Sequence, residues 1–323
     1  MNLCFIIPAL DHYKYFFSDI NENETVITLH RLCHLMKRID NSVHSWWLRP
    51  LVYYATLCLI SLKIDFKKTD CICITDLVQK SLPYGFIRWL RNKYRNKQFV
   101  ILLYNKVSTM YGLNGNVDMD ELYDYDAMLP FDKIFSYDLH ECARFGFQFF
   151  IVVSDITKHL NTDIKEQHDL FYCGSIGKAW KYDRYTEIDR VYRHLAANGV
   201  DCDFRVVFDK SLELPDAEYA TYDRMTYIDM ISKSLCSRAI LDIVSNNKNG
   251  ITLRFYEALI YNKKYITNNP VVLEHPLFDS RFMRVFADPL EIDIDWLLRH
   301  EKVDYQYDNM FSPQAFHQVL LKQ

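Results

Sequence analysis

"AILDIVSNNKNGITLRFYEALIYNKKYITNN", Ala239 to Asn269, changes its hydrophobic period twice. A mostly apolar run (239–244), broken by Asp242, gives way to a polar loop ending in Gly250. A segment of helical period follows (252–262), then a second apolar run, "KYITN" (264–268). Short continuous apolar runs suit strands buried on both faces of a parallel sheet. Strand, helix and strand in succession make a β-α-β unit and predict an α/β fold.

Within the predicted helix, Arg254 and Glu257 fall on one face and Leu253, Tyr256 and Ile260 on another. The simplest reading is an exposed i,i+3 ion pair worth about 0.2–0.5 kcal/mol, whose loss hardly changes the fold. A ligand site is the other. Gly250 lets the backbone come close to a ligand, and Thr252 opens the helix. The helix N-terminus offers N–H groups and partial positive charge to a diphosphate. Arg254 can make a planar, bidentate phosphate contact. Glu257 can accept hydrogen bonds from vicinal ribose hydroxyls.

The same alternation extends through the second half, in "DLFYCGS" (169–175), "RYTEIDRVYRHLAANG" (184–199), "DFRVVF" (203–208) and "YIDMISKS" (227–234). Gly199 is the C-terminal stop of the first of these helices. The first half repeats it with "LCFIIP" (3–8), "CICIT" (71–75), "FVILLY" (99–104) and "KIFSY" (133–137) as strands. Between them "LVQKSLPYGFIRWLRNKY" (77–94) is helical, with a break at Pro83. Polar "SDITKHLNTDIKEQHD" (154–169) marks a boundary. The expectation is two Rossmann-like domains facing a cleft, 1–158 and 168–305, with 306–323 forming a helix that packs back on the first.

"CGSIGKAWKYDR" follows a predicted strand and reads as a loop at its carboxyl end, where ligands gather in open α/β sheets. Gly174, Ser175 and Lys178 are its candidate contacts. It is not a phosphate-binding P-loop, since Tyr172 and Ala179 stand where that pattern needs glycine and Ser or Thr. Acid pairs that resemble a metal-binding D-x-D occur at Asp118/Asp120, Asp124/Asp126, Asp201/Asp203 and Asp293/Asp295. None follows the long buried strand such a motif needs, so no metal is expected. Asp11 and His12 follow the first predicted strand and are candidates for a general base, His12 having the better intrinsic pKa. Capping of the next helix is the alternative.

Composition bounds the rest. At 323 residues, half of them hydrophobic, the chain holds enough material for two packed domains. A net charge of −4 gives no broad pull toward nucleic acid. The nine cysteines are odd in number and contain no CxxC pair, which favours free thiols in a reducing compartment over a zinc site. "MNLCFIIPAL" lacks a basic leader and reads as a strand rather than a signal peptide. "LVYYATLCLISL" (51–62) is 12 residues long, short of the ~20 that span a bilayer. A buried helix is the first reading and a face resting on a membrane surface the second.

"LRFYEALIYNKKYITNN" resembles the donor-site helix of GT-B glycosyltransferases, with its glycine, helix, "E-A-L" and "I-T-x-N". "FDKIFSYDLHECARFGF" (131–147), "FYCGS" and "SRAILDI" resemble bacterial transferases of lipopolysaccharide and capsule synthesis. The likeness is strongest from Asp169 to Asn269. It implies a C-terminal domain for a nucleotide sugar and an N-terminal domain for a glycan or glycolipid acceptor. It also implies metal-independent transfer to a hydroxyl of a bacterial surface glycan. The nucleotide sugar is then a substrate, and no resident cofactor is implied. Arg254, the helix N-terminus and Lys178 would steady the departing diphosphate. Asp11 or His12 would activate the acceptor. The implied location is the cytoplasm, at the inner face of the plasma membrane. Asn249 stands where the retaining pattern has an acid, eight residues before Glu257, so neither retention nor inversion is assigned. A nucleotide-sugar epimerase or hydrolase on the same scaffold, and a non-catalytic glycan- or partner-binding protein, are the alternatives.

Overall fold

The structure, a computed structural model, describes residues 1–20, 22–29, 31–42, 46–62, 64–83, 85–107, 128, 130–160, 164–177, 181–244 and 250–322. The chain divides into two units. One comprises Met1–Ser154 with Met310–Gln323, the other Asp155–Asn309.

The first unit is built on β1 (Leu3–Ile7), β2 (Glu24–Thr28), β3 (Cys71–Thr75), β4 (Gln98–Leu103), β5 (Lys133–Ser136) and β6 (Gln148–Phe149). The order is β2-β1-β3-β4-β5-β6 and every pair is parallel. β1 and β3 are buried along their whole length, as their unbroken apolar sequences require. Helices Asp76–Ser81 and Phe86–Lys93 are separated at Pro83 as expected. Gly85 between them has φ +76°, a conformation that suits glycine.

The C-terminal helix Pro313–Leu321, capped by Ser312, belongs to this unit. Its Phe316 ring lies 4.9 Å from Phe135, 5.0 Å from Phe150 and 6.0 Å from Phe5. His317 Nδ1 is 2.8 Å from Glu24 Oε1, both side chains being buried. An aromatic cluster and a buried polar contact thus fix the end of the chain against this sheet.

The segment expected to be a buried helix is one on one face only. Trp46–Leu48 forms a single 3₁₀ turn and Arg49–Ser61 an α-helix with Pro50 in its first turn. Val52, Tyr53, Thr56, Leu57 and Ile60 are buried, while Leu51, Tyr54 and Leu62 are exposed.

The second unit repeats the layering with β7 (His168–Ile176), β8 (Cys202–Phe208), β9 (Ala220–Thr221), β10 (Ser237–Asp242), β11 (Lys264–Thr267) and β12 (Met283–Val285). The order is β12-β11-β10-β7-β8-β9, again all parallel. Helix Lys181–Ala197 buries Ile188, Val191 and Leu195 against Leu170, Phe204 and Leu241 of the sheet. It stops where Gly199 takes φ +78°. Helix Tyr227–Leu235 is capped by Thr226, whose side chain accepts from Asp229 N. The expected α/β class is what forms: two six-stranded parallel sheets with helices.

In each sheet the order reverses once, between β1 and β3 in the first and between β7 and β10 in the second. At such a point the connections leave in opposite directions and open a crevice at the carboxyl ends of the strands.

Candidate functional site

Of the residues singled out above, Ser175, Thr252, Arg254 and Glu257 lie in the second unit, toward the carboxyl ends of β7 and β10. β10 ends at Asp242. Ile243 and Val244 leave the ladder, and Val244 is held by Asn268, whose Oδ1 accepts from Val244 N at 2.8 Å and whose Nδ2 donates to Val244 O at 3.1 Å. Gly250 leads into helix Leu253–Tyr261. Asn269 Nδ2 donates to Gly250 O at 3.0 Å, which fixes the entry to that helix.

Thr252 is the N-cap. Its hydroxyl accepts from Arg254 N at 3.2 Å and donates to Asp242 Oδ2 at 2.8 Å. Tyr265 on β11 donates to the same oxygen at 2.9 Å. Burial pushes the Asp242 pKa up, and the hydrogen bonds from Thr252 and Tyr265 pull against it. A strand end, a helix start and a neighbouring strand are therefore tied to one carboxylate.

One turn on, Arg254 Nη1 donates to Glu257 Oε2, and Arg254 Nη2 reaches the Met230 sulfur. Tyr227 donates to Glu257 Oε1 at 3.1 Å. Glu257 is 2% exposed. Burial pushes its pKa up, opposed by the charge and hydrogen bond of Arg254 and by the Tyr227 hydroxyl. Burial alone would lower the Arg254 pKa, but the Glu257 charge outweighs it and the guanidinium is held above its ordinary range. Tyr227, pushed well above its ordinary value by burial and by Glu257, stays a donor.

Of the two readings of this pair, the exposed surface pair whose loss hardly changes the fold is thus ruled out. Arg254 and Glu257 form a buried, hydrogen-bonded pair, so removing one partner leaves a buried charge uncompensated. That costs about 3–5 kcal/mol, where an exposed i,i+3 pair contributes about 0.2–0.5.

Gly174 and Ser175 lie in the last part of β7, as the strand reading of 169–175 has them, opposite Val206 and Val207 of β8; the strand runs on to Ile176 before the loop begins. Gly174 is needed for room. A Cβ there would lie 2.3 Å from the Tyr172 hydroxyl. The Ser175 carbonyl accepts from Arg184 Nη1 at 3.3 Å, and Ile243 O accepts from Arg184 Nη2 at 3.1 Å. Arg184 therefore bridges the ends of β7 and β10. Cys173 lies within the electrostatic reach of Arg254, and its thiol is pushed up mainly by burial. Lys178 and Asn249 lie outside the described residues.

Tyr227, Asp242, Tyr265, Arg184 and Met230 belong to this cluster and are not among the sequence candidates. Asp242 alone had a local signal, an acid closing an apolar strand run. The others reach the site from other elements.

In the first unit, Asp11 and His12 begin helix Asp11–Phe16 directly after β1, at that sheet's point of reversal. Leu10 is the N-cap and makes no side-chain cap, so Asp11 is a first-turn acid rather than the capping residue. The His12 ring lies 4.5 Å from Tyr13 and 5.4 Å from Phe16. Of the acid pairs, Asp203 pairs with Lys233, Asp201 lies 3.1 Å from His168 and Asp293 caps helix Ile294–Leu298. Asp118, Asp120, Asp124 and Asp126 lie outside the described residues.

No protein-family model and no curated protein matches the sequence. Solved structures do match in fold. MnaA of S. aureus in complex with UDP aligns with a TM-score of 0.53 at 10% identity, over 100% of this chain and 97% of that one. An alpha-glucosyltransferase in complex with UDP and a 13-mer DNA aligns at 0.50 with 12% identity, over 99% and 90%. A putative UDP-N-acetylglucosamine 2-epimerase from Listeria monocytogenes aligns at 0.50 with 8% identity, over 99% and 95%. At these identities the likeness is one of fold, and the chain has the two-domain α/β architecture of the GT-B type.

Proposed function

We propose that the protein is a glycosyltransferase that binds a nucleotide-diphosphate sugar in its second unit and transfers the sugar to a hydroxyl of a glycan or glycolipid. The observation that carries this reading is the Arg254–Glu257 pair at the start of helix Leu253–Tyr261, which follows β10 at the reversal between β7 and β10. The similar alpha-glucosyltransferase and MnaA structures each hold UDP, which favours uridine as the base.

The helix N-terminus, Arg254 and Lys178 take the diphosphate, and Gly174 and Ser175 lie near the carboxyl end of β7. Glu257 uses one oxygen for Arg254 and the other for Tyr227. A carboxylate has about four acceptor positions, so vicinal ribose hydroxyls can join them. Because the guanidinium lies on a buried carboxylate, binding exchanges part of the ion pair for Arg–phosphate contact. Asp11 or His12 of the first unit activates the acceptor hydroxyl. We assign the acceptor to a bacterial surface glycan, a lipopolysaccharide or capsule precursor, reached from the cytoplasmic side of the membrane. No metal or resident cofactor enters this scheme.

A melting series with UDP, GDP and CMP tests the site. A bound nucleotide at a hundred times its Kd stabilises by about 2.7 kcal/mol. Stabilisation by UDP that disappears in Arg254→Lys supports the reading, and no stabilisation by any of the three refutes it. The second reading, a nucleotide-sugar epimerase or hydrolase, is favoured by the fold likeness to the Listeria epimerase. Turnover of UDP-N-acetylglucosamine in the absence of any acceptor would select it.

A further inference from the structure

Helix Arg49–Ser61 departs from the pattern of an ordinary surface helix. Its inward stripe is apolar and buried: Val52, Tyr53, Leu57 and Ile60, with Thr56 bonded to its own backbone at Val52 O. Its outward stripe, Leu51, Tyr54, Ala55 and Cys58, is exposed and uncharged, and continues into Leu62. Leu51 is 65% exposed, Tyr54 50% and Leu62 79%. Trp47, one turn before the helix, is 63% exposed. Helix Arg31–Ser42 packs alongside and presents Leu35 and Ile39, also exposed and one turn apart. A helix that is apolar all round is normally covered all round. Contiguous exposed apolar surface of this kind marks an interaction site.

The exposed charges on the helices of this face are of one sign; the nearby acids Asp65 and Asp132 lie off these helices and are paired with Lys68 and Arg91. Helix Arg49–Ser61 and helix Phe86–Lys93 contain no acid, and the one acid of helix Arg31–Ser42, Asp40, is buried. Arg38, Arg88, Lys93 and Arg95 are exposed. The basic segment is continuous with the apolar one. The Tyr54 and Trp89 rings meet edge-on at 4.9 Å, and Lys93 Nζ lies 4.8 Å from the Tyr54 centroid. The whole chain carries −4, so this positive face runs against the overall balance.

Exposed Trp and Tyr, aliphatic side chains along one helix face and flanking Lys/Arg are what an interfacial helix needs. Its 13 residues are too few to cross a bilayer, and among the described residues no helix is long and apolar enough to do so. We propose that the face formed by Trp47, Leu51, Tyr54 and Leu62 docks on an anionic lipid bilayer. The apolar side chains enter the headgroup boundary, and Arg38, Lys93 and Arg95 meet lipid phosphates. The inference extends the transferase reading, in which the acceptor can be carried on a lipid, but vesicle binding and nucleotide binding are read separately.

The test is co-sedimentation with phosphatidylcholine vesicles, with and without phosphatidylglycerol, at low and high salt. The wild type pellets with the anionic vesicles and far less with phosphatidylcholine alone. Leu51→Glu/Tyr54→Glu lowers partitioning about tenfold or more, because two apolar side chains no longer enter the interface. Lys93→Glu/Arg95→Glu removes the preference for anionic lipid. Circular dichroism checks the fold, and Leu51→Ser is the milder variant if the double one does not fold. UDP stabilisation is unchanged in every variant if both readings hold; its absence in the wild type counts against the nucleotide site and leaves the vesicle result standing. Three outcomes overturn the proposal: a wild type that stays in the supernatant with anionic vesicles, apolar-face variants that pellet like the wild type, or a stable wild-type dimer that Leu51→Glu dissociates.

Discussion

Thr252 shows how one side chain can organise a site. Its hydroxyl caps the helix through Arg254 N and restrains Asp242, so both roles are lost together. Thr252→Val should cost about 1–2 kcal/mol in a urea melt, the value of a lost cap, and Thr252→Ser should restore most of it. Arg254→Ala should lower stability by about 3–5 kcal/mol even without ligand, since Glu257 is left buried and unpaired. Glu257→Gln in the same background should recover part of that loss, because the stranded charge is gone. Glu141 gives a pH signature elsewhere. Burial, with Asp138 nearby, pushes it up to about 7, against the pull of Lys106 and hydrogen bonds from Val107 N and Ser136. A carboxyl raised on folding favours the native state at low pH, and that advantage is lost as pH rises from its ordinary 4.5 to about 7. Glu141→Gln, which can still accept from Val107 N, should flatten stability across that window and gain on the wild type at pH 8, measured by melts at stepped pH. Arg254 and Glu257 were legible because their spacing on a helix is local. Tyr227 and Arg184 were not, because only the folded sheet brings them to residues 30 and 59 positions away, at Glu257 and Ile243.

At the scale of elements, the sequence reads the interior of both sheets and misses their rims. β1, β3, β4, β5, β7, β8, β10 and β11 are the inner strands; β1, β3 and β4 carry the nearly continuous apolar run that double-sided burial demands, while β8 sets buried Phe204, Val206 and Phe208 around an exposed Arg205. The unread strands β2, β6, β9 and β12 are the four edges. They are short or half-exposed, so no run of that kind marks them. Helix Arg49–Ser61 misleads in the opposite sense, since composition points to burial and only one of its faces is buried. The C-terminal helix depends on Phe316, which fills a cluster of Phe5, Phe135 and Phe150. Phe316→Ala should destabilise the first unit by about 3–5 kcal/mol, the usual loss for a buried aromatic. Hydrogen exchange of β1 and β5 would report it, and unchanged protection there would contradict the assignment.

For the molecule as a whole, each of the two parallel sheets has one reversal of strand order, the kind of point at which open α/β sheets take ligands. The β-α-β alternation predicts such sheets, but strand order is set by long-range pairing that no local pattern encodes. The proposed nucleotide site is at the carboxyl ends of β7 and β10 in the second unit. Hydrogen–deuterium exchange with and without saturating UDP tests this most directly. UDP bound there protects the carboxyl ends of β7 and β10 and the first turn of helix Leu253–Tyr261. Protection confined to the ends of β1 and β3 in the first unit, or none under conditions of saturation, would contradict it.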